Sequence, residues 1–126
     1  MKISESMIVS SCLEFLQWKG IFSWRSNQAP IPTGDGRYRR FVGLRGAADI
    51  QGVVPGGKAL HVEIKTETGK LSPFQEEFLD RVSSLGGIAI VARSVEELEK
   101  DLKEVGVLDS SGNLVTSVHS VSPESN

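Results

Sequence analysis

Residues 48–75 read ADIQGVVPGGKALHVEIKTETGKLSPFQ, and their pattern decides the fold. Two β-rich runs, Ala48 to Val54 and Ala59 to Lys65, flank Pro55, Gly56 and Gly57, which predicts a β-hairpin. In a strand alternate side chains share a face, so Val62 and Ile64 point to a core while Glu63 and Lys65 point the other way. Asp49, near the start of the first run, then lies beside Glu63 across the hairpin. Thr66 to Leu71 reads as a loop. Ser72 caps a helix that opens on Pro73 and runs to about Leu85, with Phe74, Phe78, Leu79, Val82 and Leu85 on its buried face.

Working outward, Ile8, Val9, Cys12, Leu13, Phe15 and Leu16 form one stripe at helical spacing, which predicts a helix over 5–19. Ser4 is its N-cap and Gly20 its C′ residue. Ile21 to Arg25 reads as a short strand, and Asn27 to Gly36, with its prolines and turn residues, as a loop. Gly86 and Gly87 end the helix after Ser72. Ile88 to Ala92 is a continuously apolar strand expected to be buried on both faces. Ser94 and Glu97 predict a capping box for a last helix from Val95 to about Glu104. Strands separated by helices imply an α/β core. The domain is expected to span 1–109. Residues 110–126 form a C-terminal extension, with a turn at Asp109, Gly112 and Asn113 and a loose tail after about Ser117.

The 126 residues fit one domain with a real core. No stretch approaches the roughly 18 apolar residues of a membrane span. The opening MKISESMIVS lacks the apolar run of a signal peptide and reads as mature protein. One cysteine, Cys12, excludes an internal disulfide and a cysteine-rich zinc site, and suits a reducing cytoplasm (the host's, if the chain is viral). The net charge of −2 argues mildly against a nucleic-acid partner. Its distribution argues the other way: Arg37, Arg39, Arg40 and Arg45 share one segment with no acid. These arginines can contact phosphates, Tyr38 and Phe41 can stack on an exposed base, and Arg25 and Trp24 extend the same surface. The bland reading of this segment is a solvated loop.

Two carboxylates held close repel unless a cation joins them, and Mg²⁺ binds a few carboxylates while keeping waters for a phosphate. A lysine beside them can orient water and offset charge growing on that phosphate. Asp49, Glu63 and Lys65 therefore carry the equipment for phosphodiester hydrolysis. A bare E-x-K in a strand is more often a surface ion pair. It gains weight here from Asp49 across the hairpin and from the GKLSPFQ segment that follows.

At these residues the sequence resembles the PD-(D/E)XK nuclease superfamily. GAADIQG, HVEIKTETGKLSPFQ and GGIAIVARS, with the first helix and GIFSWRSN, resemble its virus-type replication-repair branch, the VRR-NUC family, over about residues 5–104. Ala48 stands where the superfamily's name implies a proline. The resemblance implies a restriction-endonuclease-like core, a central mixed β-sheet flanked by helices. It implies a Mg²⁺- or Mn²⁺-dependent nuclease in which Asp49, Glu63 and the Ile64 backbone carbonyl bind metal, and Lys65 is the catalytic lysine. Gln75 would position Lys65 or the water, while Ser72 and Gln75 also form a capping box, and both roles fit one amide. The superfamily often adds an acid from the first helix. Helical phase places Glu5 within the apolar stripe and Glu14 opposite it, so Glu5 is expected at the metal, directly or through water.

The resemblance implies, as the leading expectation, a structure-selective DNA endonuclease acting as a homodimer on branched DNA such as four-way (Holliday) junctions, in replication or repair, and two sites related by a two-fold axis suit such a substrate. The alternatives are a sequence-specific or nonspecific duplex nuclease, and a non-catalytic DNA-binding accessory protein. The intact Asp49, Glu63, Lys65 and Gln75 set disfavours the last, since a pure binder has no need of carboxylates beside phosphate.

Overall fold

The computed structural model describes residues 2–26, 31–39 and 44–116. Arg40, Phe41 and Val42 of the arginine segment, part of the loop from Asn27, and the expected tail after Ser117 lie outside the described residues. The elements are helix α1 (Glu5–Trp18), strands β1 (Phe22–Arg25), β2 (Ile31–Pro32), β3 (Tyr38–Arg39), β4 (Ile50–Val53) and β5 (Ala59–Ile64), helix α2 (Pro73–Ser84), strand β6 (Ile88–Ala92) and helix α3 (Val95–Glu104).

The main sheet has the order β1-β4-β5-β6. β1, β4 and β5 pair antiparallel, and β6 joins β5 parallel, so the sheet is mixed and helix-flanked, as expected for a restriction-endonuclease-like α/β core. Ile50, Leu60, Val62, Ile64, Ile90 and Ala92 pack on one face with Ile8, Val9, Cys12 and Leu16 of α1 and Leu98 and Leu102 of α3. Burying each large aliphatic side chain here contributes about 1.5–3 kcal/mol. Ser4 caps α1, its Oγ accepting from the Met7 N–H at 3.2 Å, and Gly20 follows with φ +88°, the left-handed stop.

The opposite face is only partly covered. α2 lies over β5 and β6, and of its apolar residues only Leu79 is fully buried. Phe74 is 47% exposed and Leu85 84%, contrary to the expected buried face. Phe74 sits in the helix's first turn, where the Arg45 guanidinium covers its ring at 4.5 Å, and Leu85 lies past the last turn. β6 is likewise an edge strand. Ile90 and Ala92 are buried on the core side, but Ala89 and Val91 are only half-buried beneath α2.

The segment read as a loop around residue 31 holds a small hairpin, with Ile31 opposite Arg39 and Pro32 opposite Tyr38. Its turn is closed by Asp35, whose Oδ1 accepts from the Thr33 hydroxyl at 2.5 Å and the Arg37 N–H at 3.0 Å. Those bonds, Thr33's first, hold the Asp35 carboxyl below the usual range. After α3 the chain turns back, with an isolated bridge between Leu108 and Leu114, and Lys19 Nζ donates to the Gly112 carbonyl at 2.6 Å. Among the described residues no helix is long and apolar enough to cross a membrane.

Candidate active site

β5 projects His61, Glu63 and Lys65 to the α2 side of the sheet, because Leu60, Val62 and Ile64 are claimed by the core. Extending the β4–β5 register one step past Ile50 and Val62 sets Asp49 opposite Glu63. The entry to β4 is fixed by Ser26, whose N–H donates to the Asp49 carbonyl at 2.9 Å and whose hydroxyl donates to the Ala48 carbonyl at 2.6 Å. The Asp49 side chain turns across the strand end, and its Oδ2 accepts from the Ile64 N–H at 2.8 Å. A strand residue carries its N–H and C=O on the same edge. The Ile64 carbonyl therefore opens beside the two carboxylates, where β4 has ended.

Gln75 joins them from α2. Its Oε1 accepts from the Ser72 N–H at 2.9 Å, and the Ser72 hydroxyl accepts from the Gln75 N–H at 3.2 Å, a complete capping box. Because Ser72 N–H can only donate, Oε1 must face it, and Nε2 is left to donate to Glu63 Oε2 at 2.9 Å. One amide thus both caps the helix and holds Glu63. Its partner is the glutamate rather than Lys65. Lys65 Nζ stands 3.6 Å from the same Oε2, with only 12% of its side chain exposed.

Glu63 is 2% exposed. Burial, then the neighbouring charge of Asp49, pushes its carboxyl up to about 8, against the opposing pull of Lys65. The charge of Glu5 and a hydrogen bond shared with Asp49 raise it further. Charge on Glu63 is thus disfavoured unless a positive partner is added beside it. Among the described residues no cluster of three or more His, Cys, Asp and Glu side chains makes a metal cage. The donor set is two carboxylates and a main-chain carbonyl. That set fits a hard ion such as Mg²⁺, which takes one or two carboxylates and keeps several waters.

The remaining expected residues fall at varying distances from this centre. Glu5 opens α1 and is exposed rather than buried in the apolar stripe, because it sits in the first turn just after the Ser4 cap. Its charge still reaches Glu63, though it does not join a three-acid cluster. Glu14 is exposed too, and does not act on Glu63. Arg45 lies over Phe74, next to Gln75, and this approach requires Gly46: its φ is +80° and an added Cβ would collide with the Phe74 carbonyl. Arg37 is exposed, and Tyr38 and Arg39 form the backbone of β3. Trp24 and Arg25 do not share a surface. Trp24 pairs with Gln51, two residues from Asp49 on the same face, whereas Arg25 pairs with Ile50 and alternates to the other. Trp24 and the 72% exposed Phe22 pack with rings tilted at 54° and centroids 5.0 Å apart on the uncovered half of the site's face. His61 is a packing residue, half-buried with its ring edge-on to Phe78 at 5.2 Å, and burial lowers its pKa.

Arg93 is the residue that sequence reasoning missed. Its Nη1 donates to the carbonyls of Thr66 and Gly69, in the turn directly after Lys65. The only local signal was a lone arginine after an apolar strand.

No family model matches the sequence, and neither does any curated protein. Among solved structures, the chain is similar to one described as "VRR_NUC domain protein", at 16% identity, with 82% of this chain and 89% of that chain covered and a TM-score of 0.56. At that identity the likeness concerns the fold, and the fold of this chain is VRR-NUC-like.

Proposed function

We propose that this chain is a Mg²⁺- or Mn²⁺-dependent nuclease that hydrolyses DNA phosphodiesters, with Asp49, Glu63 and the Ile64 carbonyl holding the metal and Lys65 acting in catalysis. The observation that carries this reading is the buried Glu63 set beside the half-buried Asp49, with Lys65 Nζ and Gln75 Nε2 both on Glu63 Oε2. Two carboxyl groups set side by side, one of them out of water, are costly to build, and a divalent cation is what makes them compatible. When bound, the metal supplies Lewis-acid polarisation of a phosphate oxygen and a more acidic water. The chain's own groups do the rest. Gln75 and Lys65 hold Oε2, which leaves the other Glu63 oxygen for the cation. Ile64 N–H does the same for Asp49 by holding Oδ2. The Lys65 ammonium offsets charge that grows on the phosphate as water attacks.

The substrate in this reading is branched DNA such as a four-way junction, cut by a homodimer in the cytoplasm. Its contacts are Arg37, Arg39, Arg40, Arg45 and Tyr38, with Trp24 on the site's own face and Arg25 peripheral. The test is incubation of supercoiled plasmid, a synthetic four-way junction and a linear duplex with Mg²⁺ or Mn²⁺, with and without EDTA, alongside light scattering. The expected result is EDTA-sensitive cutting, fastest on the junction, by a dimer. Equal cutting of junction and duplex by a monomer rejects the junction reading. Binding without cutting in either metal rejects the nuclease reading in favour of a DNA-binding accessory protein.

Two further outcomes are expected. Replacing Arg37 and Arg45 by glutamine should weaken binding across sequences and lower the salt slope by about 1 to 2, since each phosphate contact releases roughly one counterion. An unchanged slope would remove these arginines from the interface. Glu5→Gln should reduce cleavage while Glu14→Gln leaves it unaltered, because only Glu5 reaches Glu63 electrostatically. The reverse ranking would show that α1 presents another acid to the substrate.

A further inference from the structure

We infer that Arg93 is a positioning residue for Lys65, acting through the turn at 66–69. The inference rests on the nuclease reading for its consequence, but its physical content is a contact chain. Parallel pairing of Ile64 with Ala92 brings the residues after each strand side by side, so Arg93 emerges next to Lys65. The Lys65 N–H is tied to β6, donating to the Ala92 carbonyl at 3.1 Å. The chain then folds into a turn closed by the Gly69 N–H donating to the Thr66 carbonyl at 3.1 Å. Arg93 Nη1 donates to the first and last carbonyls of that turn, Thr66 at 2.5 Å and Gly69 at 2.7 Å. Arg93 is itself anchored, its N–H donating to Glu97 Oε1 at 2.9 Å in the first turn of α3.

The turn lies beside the Lys65 side chain. A Cβ built on Gly69 would lie 3.4 Å from Lys65 Cδ and 3.3 Å from Thr66 Oγ1. Gly69 therefore flanks the lysine stem, with little more room beside it than a methyl group would fill. A lysine stem is long and flexible, and its ammonium acts on a phosphate only when the stem is confined. Glu63 fixes one end of Lys65, and the Arg93-clamped turn fixes the middle. The guanidinium suits this task because one nitrogen presents two hydrogens in a fixed plane, one for each carbonyl. A lysine at this position would have no such fork.

The experiment compares wild type, Arg93→Lys and Gly69→Ala in two measurements. The first is steady-state cleavage of plasmid in Mg²⁺, resolving kcat from KM. The second is acetylation of Lys65 by acetic anhydride in metal-free protein, followed by peptide mass spectrometry with Lys58 and Lys70 as internal references. Arg93→Lys is expected to lower kcat about tenfold at unchanged KM, by misplacing the ammonium. It should also raise Lys65 acetylation several-fold relative to the references. Gly69→Ala, which keeps Arg93 and adds a methyl at ordinary contact distance, 3.4 Å from Lys65 Cδ, is expected to keep Lys65 acetylation at the wild-type level, which a general loosening of the turn would not. Unchanged Lys65 acetylation in Arg93→Lys overturns the inference, whether or not kcat falls. If the wild-type chain cuts nothing, the nuclease reading fails, and the acetylation ratio still decides whether Arg93 confines Lys65.

Discussion

Cleavage of supercoiled plasmid by Lys65→Ala in Mg²⁺ is expected to fall by about 10²–10³-fold, the usual cost of removing one preorganised group that stabilises transition-state charge. DNA binding should persist. Lys65 is 12% exposed and its Nζ has Glu63 Oε2 at 3.6 Å, so the ammonium sits at the carboxylates rather than out in solvent. Asp49→Asn and Glu63→Gln should reach the same floor by another route, since each keeps side-chain size and removes one charge from the cation's donor set. None of the three should lower the melting temperature much. In Glu63→Gln the new amide oxygen can still accept from Gln75, and in Asp49→Asn the new amide oxygen can still accept from the Ile64 N–H. Cutting by Lys65→Ala at the wild-type rate would remove this lysine from the mechanism.

The second large effect is on stability. The Glu63 carboxyl, pushed up to about 8 by burial and by Asp49, keeps in the folded chain a proton that the unfolded chain releases near 4.5. Between those two values the unfolded state binds fewer protons, so stability must fall as pH rises through the window, by at most about 1.4 kcal/mol per pH unit. The stabilising contribution is complete below about 4.5 and lost above about 8. His61 slopes the other way at its lower end: burial lowers its pKa, so its contribution is lost as pH falls. The comparison that isolates Glu63 is with Glu63→Gln, by urea unfolding at three pH values, one near the lower bound, one mid-window and one above the upper bound, without divalent ions. Wild type should lose stability relative to the variant as pH rises, and at the highest pH the variant should be the more stable. Mg²⁺ should restore the wild type and leave the variant almost unaffected. A wild-type-to-variant difference that does not change with pH would mean that Glu63 is ionised throughout.

The sequence by itself determined the hairpin around Pro55, Gly56 and Gly57, the facing of Glu63 and Lys65 away from Val62 and Ile64, and the helices opened by Ser4, Ser72 and Ser94. These are local matters. Period-2 alternation, cap chemistry and left-handed glycines act over a few residues and are written in adjacent letters. Asp49 opposite Glu63 was legible for the same reason, since a short turn sets hairpin register. Other features depended on segments distant in the chain, and only the tertiary structure decided them. Parallel pairing of β6 with β5 is made by a crossover, and it alone sets Arg93 beside the turn after Lys65. Docking of α2 made the capping Gln75 also the donor that holds Glu63. The same docking covered half the sheet and left Phe74, Leu85, Phe22 and Trp24 exposed, although the apolar pattern placed Phe74 and Leu85 inside. The raised pKa of Glu63 belongs to this second kind. No letter near residue 63 encodes a proton held near neutrality: it arises because folding takes the carboxyl out of water and sets a second carboxylate against it.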